Sequence, residues 1–99
     1  MTLRMMATVL LSDGRPQIWA VNDAGELVSS WKRNPAGDPW TGWAGWTPFP
    51  GPSGVVQSVT TVTLPDGRPQ LIVATDQGEF AKIKVDTHPD AAWTGWGRF

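Results

Sequence analysis

The sequence predicts an all-β chain made of two consecutive copies of one four-stranded unit. Residues 3–46 align without a gap on residues 56–99, a displacement of 53 positions, with 15 identities in 44. Pro, Gly and Asp interrupt the chain every 8–12 residues, which is the spacing of short strands and their turns. Since no stretch of a dozen residues keeps an apolar period of 3.6, helices are not expected. The repeat length is typical of an array of like units.

The first copy predicts four strands separated by turn signals. Asp13-Gly14 is a hairpin signal, Asp23-Ala-Gly25 is a second turn, and residues 34–39 form a Pro- and Gly-containing loop. The expected strands are Leu3–Leu11, Gln17–Asn22, Glu26–Lys32 and Trp43–Phe49.

The second copy repeats this order of signals. Residues 47–55, in which Pro48, Pro50 and Pro52 alternate with other residues, are expected to form a stiff connector between the copies. The chain is thus one domain over residues 1–99, with the first unit at about 3–49 and the second at about 56–99. The expected strands of the second unit are Gln57–Leu64, Gln70–Thr75, Glu79–Val85 and Trp96–Phe99.

Strands that are apolar on both faces decide the architecture. Gln70–Thr75 is such a strand, so its sheet must be covered on both sides. Four-stranded units of this length, stacked face to face, describe the blades of a β-propeller. Two blades cannot close a ring and would leave two apolar faces in water. We therefore expect copies of the chain to associate head to tail as a homo-oligomer, with three copies and six blades preferred over two or four copies.

Composition excludes several classes of partner and site. The net charge is −1 and the basic residues are scattered, so a nucleic-acid surface is not expected. The chain has no cysteine and hence no disulfide or thiolate metal site. Residues 1–7 lack a long apolar run, which predicts neither an export signal nor membrane insertion. Synthesis in the cytoplasm is the default expectation, and later release from the cell stays open.

Tryptophan is the outlier of the composition, with seven residues. In the gapless alignment Trp40-Thr-Gly-Trp43 matches Trp93-Thr-Gly-Trp96. One interpretation is structural, with each indole wedged between blades. The other is a sugar platform, on which the C–H face of a pyranose lies against the indole. Trp40 and Trp93 follow loops and are expected to be more exposed than Trp43 and Trp96. Trp31 has Lys84 as its aligned counterpart.

A second motif is repeated at the first turn of each unit. Asp13-Gly-Arg-Pro-Gln17 matches Asp66-Gly-Arg-Pro-Gln70. A structural role is favoured, because Asp-Gly makes a hairpin turn and Pro fixes the entry to the next strand. The guanidinium groups of Arg15 and Arg68 are nevertheless suited to sugar hydroxyls or to an indole face. The amides of Gln17 and Gln70 add further hydrogen-bonding groups.

No catalytic residue, metal site or cofactor is predicted. The single histidine, His88, lies in a loop segment, and the aspartates Asp13, Asp23, Asp66 and Asp76 are explained by turns. They also lack the spacing of a calcium loop. An enzyme of the propeller glycosidase type therefore ranks last among the function classes.

The ordered set of motifs from Asp13 through Trp31 and Pro35 to Trp43 resembles the blade repeat of the bacterial PLL-type propeller lectins. The resemblance covers nearly the whole chain. It implies a glycan-binding propeller with sites near blade junctions, and known members recognise fucose or O-methylated sugars. Those lectins carry a full ring in one chain. The two-blade arrangement is instead similar to short fucose lectins that trimerise into six blades, and Lys84 stands where the repeat expects an aromatic residue.

Two functions of different classes follow from the sequence. The leading hypothesis is a carbohydrate-binding lectin made multivalent by ring assembly, with Trp31, Trp40, Trp43, Trp93, Trp96, Arg15, Arg68, Gln17 and Gln70 as candidate sugar-binding residues. The alternative is a structural or protein-interaction propeller fragment, natural or engineered, whose tryptophans serve only packing.

Overall fold

The fold consists of two four-stranded antiparallel sheets, one from each copy of the repeat. A computed structural model describes residues 2–33, 43–88 and 91–98. In both sheets each strand pairs with the next along the chain. Sheet 1 contains β1 (Leu3–Leu10), β2 (Pro16–Asn22), β3 (Leu27–Trp31) and β4 (Thr47–Pro48), and sheet 2 contains β5 (Val56–Thr63), β6 (Pro69–Thr75), β7 (Gly78–Ile83) and β8 (Gly97–Arg98).

The all-β prediction is confirmed, since the described residues form no helix. The described residues therefore contain no helix that is long and apolar enough to span a membrane. The first three strands of each sheet lie within a few residues of their expected bounds. The fourth strands are shorter than predicted, with only two residues each. Trp43 and Trp93 join their sheets through isolated bridges to Lys32 and Lys84 instead.

Each sheet has two faces, which we name after residues they carry. The Gln face of sheet 1 carries Gln17, and the Gln face of sheet 2 carries Gln70. The Lys face of sheet 1 carries Lys32, and that of sheet 2 carries Lys84. The strand register assigns the other residues of β2, β3, β6 and β7 to these faces. The Gln faces carry Gln17, Trp19, Ser29 and Trp31 in sheet 1, and Gln70, Ile72, Ala81 and Ile83 in sheet 2. The Lys faces carry Ile18, Ala20, Ser30 and Lys32 in sheet 1, and Leu71, Val73, Lys82 and Lys84 in sheet 2.

The core lies where the Gln face of sheet 1 packs on the Lys face of sheet 2. Trp19 is fully buried there, and its ring meets Phe49 and Trp93 edge-on at centroid distances of 5.9 and 5.5 Å. The ammonium group of Lys82 lies 4.6 Å from the centre of the Trp96 ring, and burial lowers the pKa of this lysine. The buried members of the cluster are Val9, Trp19, Val21, Leu27, Val56, Val59, Leu71 and Val73.

The connector between the sheets is held from both sides. The Phe49 N–H donates to the carbonyl oxygen of Leu27 at 3.0 Å, which extends the pairing of β4 with β3. At the other end the Thr75 hydroxyl donates to the Ser53 carbonyl oxygen at 2.8 Å, and the Val55 N–H donates to Asp76 Oδ1 at 2.8 Å. These hydrogen bonds fix the orientation of one sheet relative to the other.

The two sheets differ by one residue in the turn between their second and third strands. In sheet 1 three residues separate Asn22 from Glu26, whose carbonyl oxygen accepts the Asn22 N–H at 3.0 Å. In sheet 2 only two residues separate the paired Thr75 and Gly78. The strand that follows is therefore one position out of step with the gapless alignment.

The residue that opens each turn accounts for the difference in length. Asn22 Oδ1 accepts the N–H groups of Ala24 at 3.0 Å and Glu26 at 2.9 Å, which supports a three-residue loop. Thr75 has a shorter side chain, and its hydroxyl oxygen accepts the N–H of Gln77 at 2.9 Å. The turn of sheet 2 closes one residue earlier as a result.

The shift changes which residues correspond between the copies. The Lys32 N–H donates to the Pro16 carbonyl oxygen, and the Lys84 N–H donates in the same way to Pro69. Lys84 therefore corresponds to Lys32. The expectation that Lys84 stands in the place of Trp31 is wrong.

The tryptophan motifs shift as well. Trp43 bridges Lys32 and Trp93 bridges Lys84, so Trp93 corresponds to Trp43 and not to Trp40. Pairing of Thr47 with Ser29 and of Gly97 with Ala81 continues the same correspondence. The aligned motifs are thus Trp43-Ala-Gly-Trp46 and Trp93-Thr-Gly-Trp96, and their predicted alignment through Trp40 was wrong.

Candidate functional site

A cavity of about 240 Å³ opens at the junction of the two sheets, beside the core. It lies where β2 begins and β3 ends in sheet 1, against the end of β7 in sheet 2. Both sheets therefore contribute walls to it. The lining residues are Leu11, Arg15, Gln17 and Trp31 from sheet 1 and Lys84, Ala91 and Trp93 from the second copy.

Arg15 is held in place by the turn that precedes β2. Asp13 Oδ1 accepts the backbone N–H of Arg15 at 3.1 Å, and Asp13 Oδ2 accepts its Nε–H at 2.6 Å. Partial desolvation raises the pKa of Asp13, but the hydrogen bonds and charge of Arg15 together outweigh it and lower that pKa. The carboxylate thus stays ionised and fixes the guanidinium at the rim of the cavity.

Gln17 and Trp31 are paired across β2 and β3 and lie side by side on the Gln face. Gln17 is buried, and its Nε2 donates to the hydroxyl of Ser29 at 3.1 Å. This bond orients the amide within the wall. Trp31 is half-buried and presents an indole to the cavity.

Sheet 2 supplies a second indole and a cation. Trp93 packs edge-on against Trp19, and the Lys84 ammonium lies 5.6 Å from the centre of the Trp93 ring. Lys84 itself is buried at 4% exposure. The cavity therefore combines two indoles, an amide, a guanidinium and an ammonium group in one place.

Four of the nine candidate residues meet in this cavity: Arg15, Gln17, Trp31 and Trp93. Arg68 and Gln70 belong to sheet 2 at the positions that Arg15 and Gln17 hold in sheet 1. Trp43 lies beside Lys32 on the Lys face of sheet 1. Trp96 packs against the core and donates its Nε1–H to the Pro50 carbonyl oxygen at 2.9 Å. Trp40 lies outside the described residues.

The described tryptophans of the repeated motifs do not separate into exposed and buried residues. Trp93, Trp43 and Trp96 are all half-buried. Trp93 packs on the core because it sits between the sheets, a place that its position after a loop did not reveal. Sequence reasoning also missed Lys84 as a member of the cavity, since the gapless alignment presented it as a lost aromatic residue.

Two larger clefts lack this chemistry. One of about 320 Å³ lies between β1 and β5 and is lined by Thr, Val, Leu and Pro side chains. Another of about 300 Å³ lies along the connector and is lined mainly by Gly, Pro and apolar residues with Glu26. Among the described residues no group of three His, Asp or Glu side chains is placed to hold a metal ion.

No protein-family model matches the chain, and no curated protein matches it significantly.

Proposed function

We propose that this chain is a carbohydrate-binding module and that the cavity between the two sheets is its sugar site. The proposal rests on the side chains that line this cavity. They are the indoles of Trp31 and Trp93 and the polar groups of Arg15, Gln17 and Lys84. Indole faces match the C–H faces of a pyranose, while amide, guanidinium and ammonium groups hydrogen-bond its hydroxyls. A cavity of about 240 Å³ is of the size of a single sugar ring with its substituents.

We also propose that the two sheets are blades of a propeller that closes by head-to-tail association, with three copies giving six blades. The face-to-face packing of the sheets and the repeat itself support this architecture. A ring would carry several sugar sites on one particle. Weak single sites would then bind a glycan surface tightly through effective concentration.

The alternative is an interaction or scaffold propeller without sugar binding. This alternative is supported by the packing of Trp93 and Trp96 against the core, because an indole that only fills the space between two sheets would pack in this way. The lectin proposal is preferred because Trp31, Arg15 and Lys84 surround an open cavity, which packing alone does not require.

A glycan array tests the proposal. The purified chain is expected to bind a restricted set of saccharides, and the array should hold fucosides, O-methylated sugars and uronic acids, since Arg15 and Lys84 add positive charge to the site. Arg15→Ala should weaken the signal by about tenfold or more, equal to ~1.4 kcal/mol. Arg4→Ala, which removes an exposed arginine of β1, is the matched control and should bind as the wild type does. A blank array with a folded protein would refute the lectin function.

The ion pair at the cavity rim predicts an acid limit to sugar binding. The folded-state pKa of Asp13 is lowered, so its carboxylate stays charged to pH values below the ordinary range of about 3.9. Binding should therefore persist down to this range and fall as the pH drops through the lowered pKa. Asp13→Asn should weaken binding by a few fold above the lowered pKa, match the wild type below it, and remove the acid step. Titrations of saccharide binding against pH check this, and an unchanged acid step in Asp13→Asn would contradict it.

A further inference from the structure

The cavity between the two sheets brings together two basic side chains that lie far apart in the sequence. Arg15 comes from the turn before β2 in sheet 1, and Lys84 follows the last residue of β7 in sheet 2. Among the described residues that line the cavity, these two are the charged ones, and none carries a carboxylate. A ligand in the cavity therefore meets a cation from each sheet.

The guanidinium of Arg15 is oriented by its own turn before a ligand binds. Asp13 Oδ2 accepts the Nε–H of Arg15 at 2.6 Å, and Asp13 Oδ1 accepts the backbone N–H of the same residue at 3.1 Å. A guanidinium has five N–H donors, and this side-chain bond uses one of them. The group is thus preorganised, and its planar arrangement of donors matches the oxygens of a carboxylate or a similar oxyanion.

Lys84 carries its charge at a place that water reaches poorly. The residue is 4% exposed, and its ammonium group lies 5.6 Å from the centre of the Trp93 ring. An ammonium group has three N–H donors, so a bond to one partner still allows it to donate to a ligand. Opposite charges attract each other several times more strongly at a protein site of low dielectric constant than in bulk water. An anionic group in the cavity therefore gains more from Lys84 than a neutral hydroxyl does.

We propose that the cavity selects an anionic saccharide, a pyranose whose acidic substituent is the carboxylate of a uronic acid or a sulfate ester. This inference rests on the proposed sugar-binding function and names the class of sugar. The indoles of Trp31 and Trp93 contact the ring, and Arg15 and Lys84 donate to the oxygens of the acidic substituent. The proposal differs from the neutral, fucose-type sugars that the sequence resemblance implies, so binding experiments separate the two.

Each of the two cations also has a structural explanation, because the repeat contains it twice. The turn before β6 holds Arg68 as the turn before β2 holds Arg15, and Lys32 is 5% exposed where Lys84 is 4% exposed. Sheet 1 does not bring its own lysine to the cavity, since Lys32 lies on its Lys face and Gln17 on its Gln face. The two cations meet because sheet 2 packs on sheet 1, and a test must therefore measure what this meeting does to a ligand.

Matched pairs of sugars test the charge of the ligand. Titration calorimetry compares the methyl α-glycosides of galacturonic and glucuronic acid with those of galactose and glucose, which differ from them only at C6. In each pair that binds, the uronide should bind about tenfold more tightly than the neutral sugar or better. Methyl α-galactoside 6-sulfate, added to the panel, shows whether a sulfate ester or a carboxylate is the preferred anion.

Variants of the two cations test whether the preference arises in the cavity. Lys84→Met keeps an unbranched side chain beside Trp93 and removes the charge, and Arg15→Gln removes the other charge. Each should weaken uronide binding by about tenfold and neutral-sugar binding by less, so that the ratio falls. Lys84→Arg should keep the preference. Arg4→Gln, which removes an exposed cation of β1 that is not among the described lining residues, is the charge-matched control and should keep it as well. If Lys84→Met does not fold, the half-buried Arg15 position decides.

The outcomes distinguish this inference from the function on which it rests. A neutral sugar that binds as tightly as its uronide overturns the inference and leaves sugar binding standing. A preference for the uronide that survives both Lys84→Met and Arg15→Gln also overturns it, since the charges of the cavity are then not its cause. If only the glycan array gives binding, anionic saccharides among the bound glycans support the inference, and neutral ones by themselves overturn it. No binding to the panel or the array by the folded protein refutes both.

Discussion

Replacing Trp19 by alanine is expected to unfold the chain or to leave it marginally stable. Trp19 is fully buried between the sheets and contacts the rings of Phe49 and Trp93. Removing a large buried aromatic side chain costs about 3–5 kcal/mol in lost burial and cavity formation. Small domains have only about 5–15 kcal/mol of stability in total. Urea denaturation at one fixed protein concentration, followed by circular dichroism, measures the loss.

Trp19→Phe is the matched control for this change. It keeps an aromatic ring in the core and removes an indole N–H whose Nε1 atom has no hydrogen-bond partner among the described residues. Because a buried unpaired donor is itself costly, by about 1–3 kcal/mol, the loss of volume is partly offset. The phenylalanine variant should therefore lose less than about 2 kcal/mol. An alanine variant as stable as the wild type would show that the sheets do not pack through this residue.

Trp31→Ala is expected to have the largest effect on binding with little effect on folding. Trp31 is half-buried, lines the cavity, and is not among the described residues that pack against the buried core. Loss of its stacking surface should weaken each site by about tenfold, or ~1.4 kcal/mol. Multivalent binding should fall further, since each weakened site also lowers avidity. Calorimetry measures the single site, and binding to a glycan-coated surface measures the multivalent effect.

Trp31→Phe separates stacking from simple bulk. The phenyl ring keeps a flat face of smaller area, so its binding should lie between those of the wild type and the alanine variant. The free energy of unfolding of both variants should lie within about 1 kcal/mol of the wild-type value, because changes outside the core usually alter stability little. Equal binding by all three proteins would show that Trp31 lines the cavity without stacking on the sugar.

The sequence predicted most of the fold because the turn signals are local. Asp13-Gly14 and Asp66-Gly67 each follow the first strand where expected, and the spacing of Pro, Gly and Asp locates the strands between turns. The short fourth strands were less visible. Pro48 cannot donate to a neighbouring strand and so suits an edge position, which leaves little pairing to detect.

The sequence grouped some of the residues that line the candidate cavity. Arg15, Gln17 and Trp31 come from one copy, and their grouping follows from the pairing of β2 with β3. The contribution of Lys84 and Trp93 depended on the register of β7, which is set by a one-residue difference in a turn. Both turns have the sequence Asp-x-Gly-Glu, so the sequence of the turns does not show that they differ in length by one residue. The preceding residue, Asn22 or Thr75, carries the information through its side-chain hydrogen bonds.

The strand order has a consequence for how the chain reaches its native state. Each strand pairs with the next one along the chain, and the first three strands of each sheet form hairpins that close over short distances in sequence. Hairpins form within about 1–10 μs. Docking of one sheet on the other brings together residues about 53 positions apart in the sequence, and contacts between such distant residues form more slowly than a hairpin does. We therefore expect backbone pairing within each sheet to precede the burial of Trp19 during refolding.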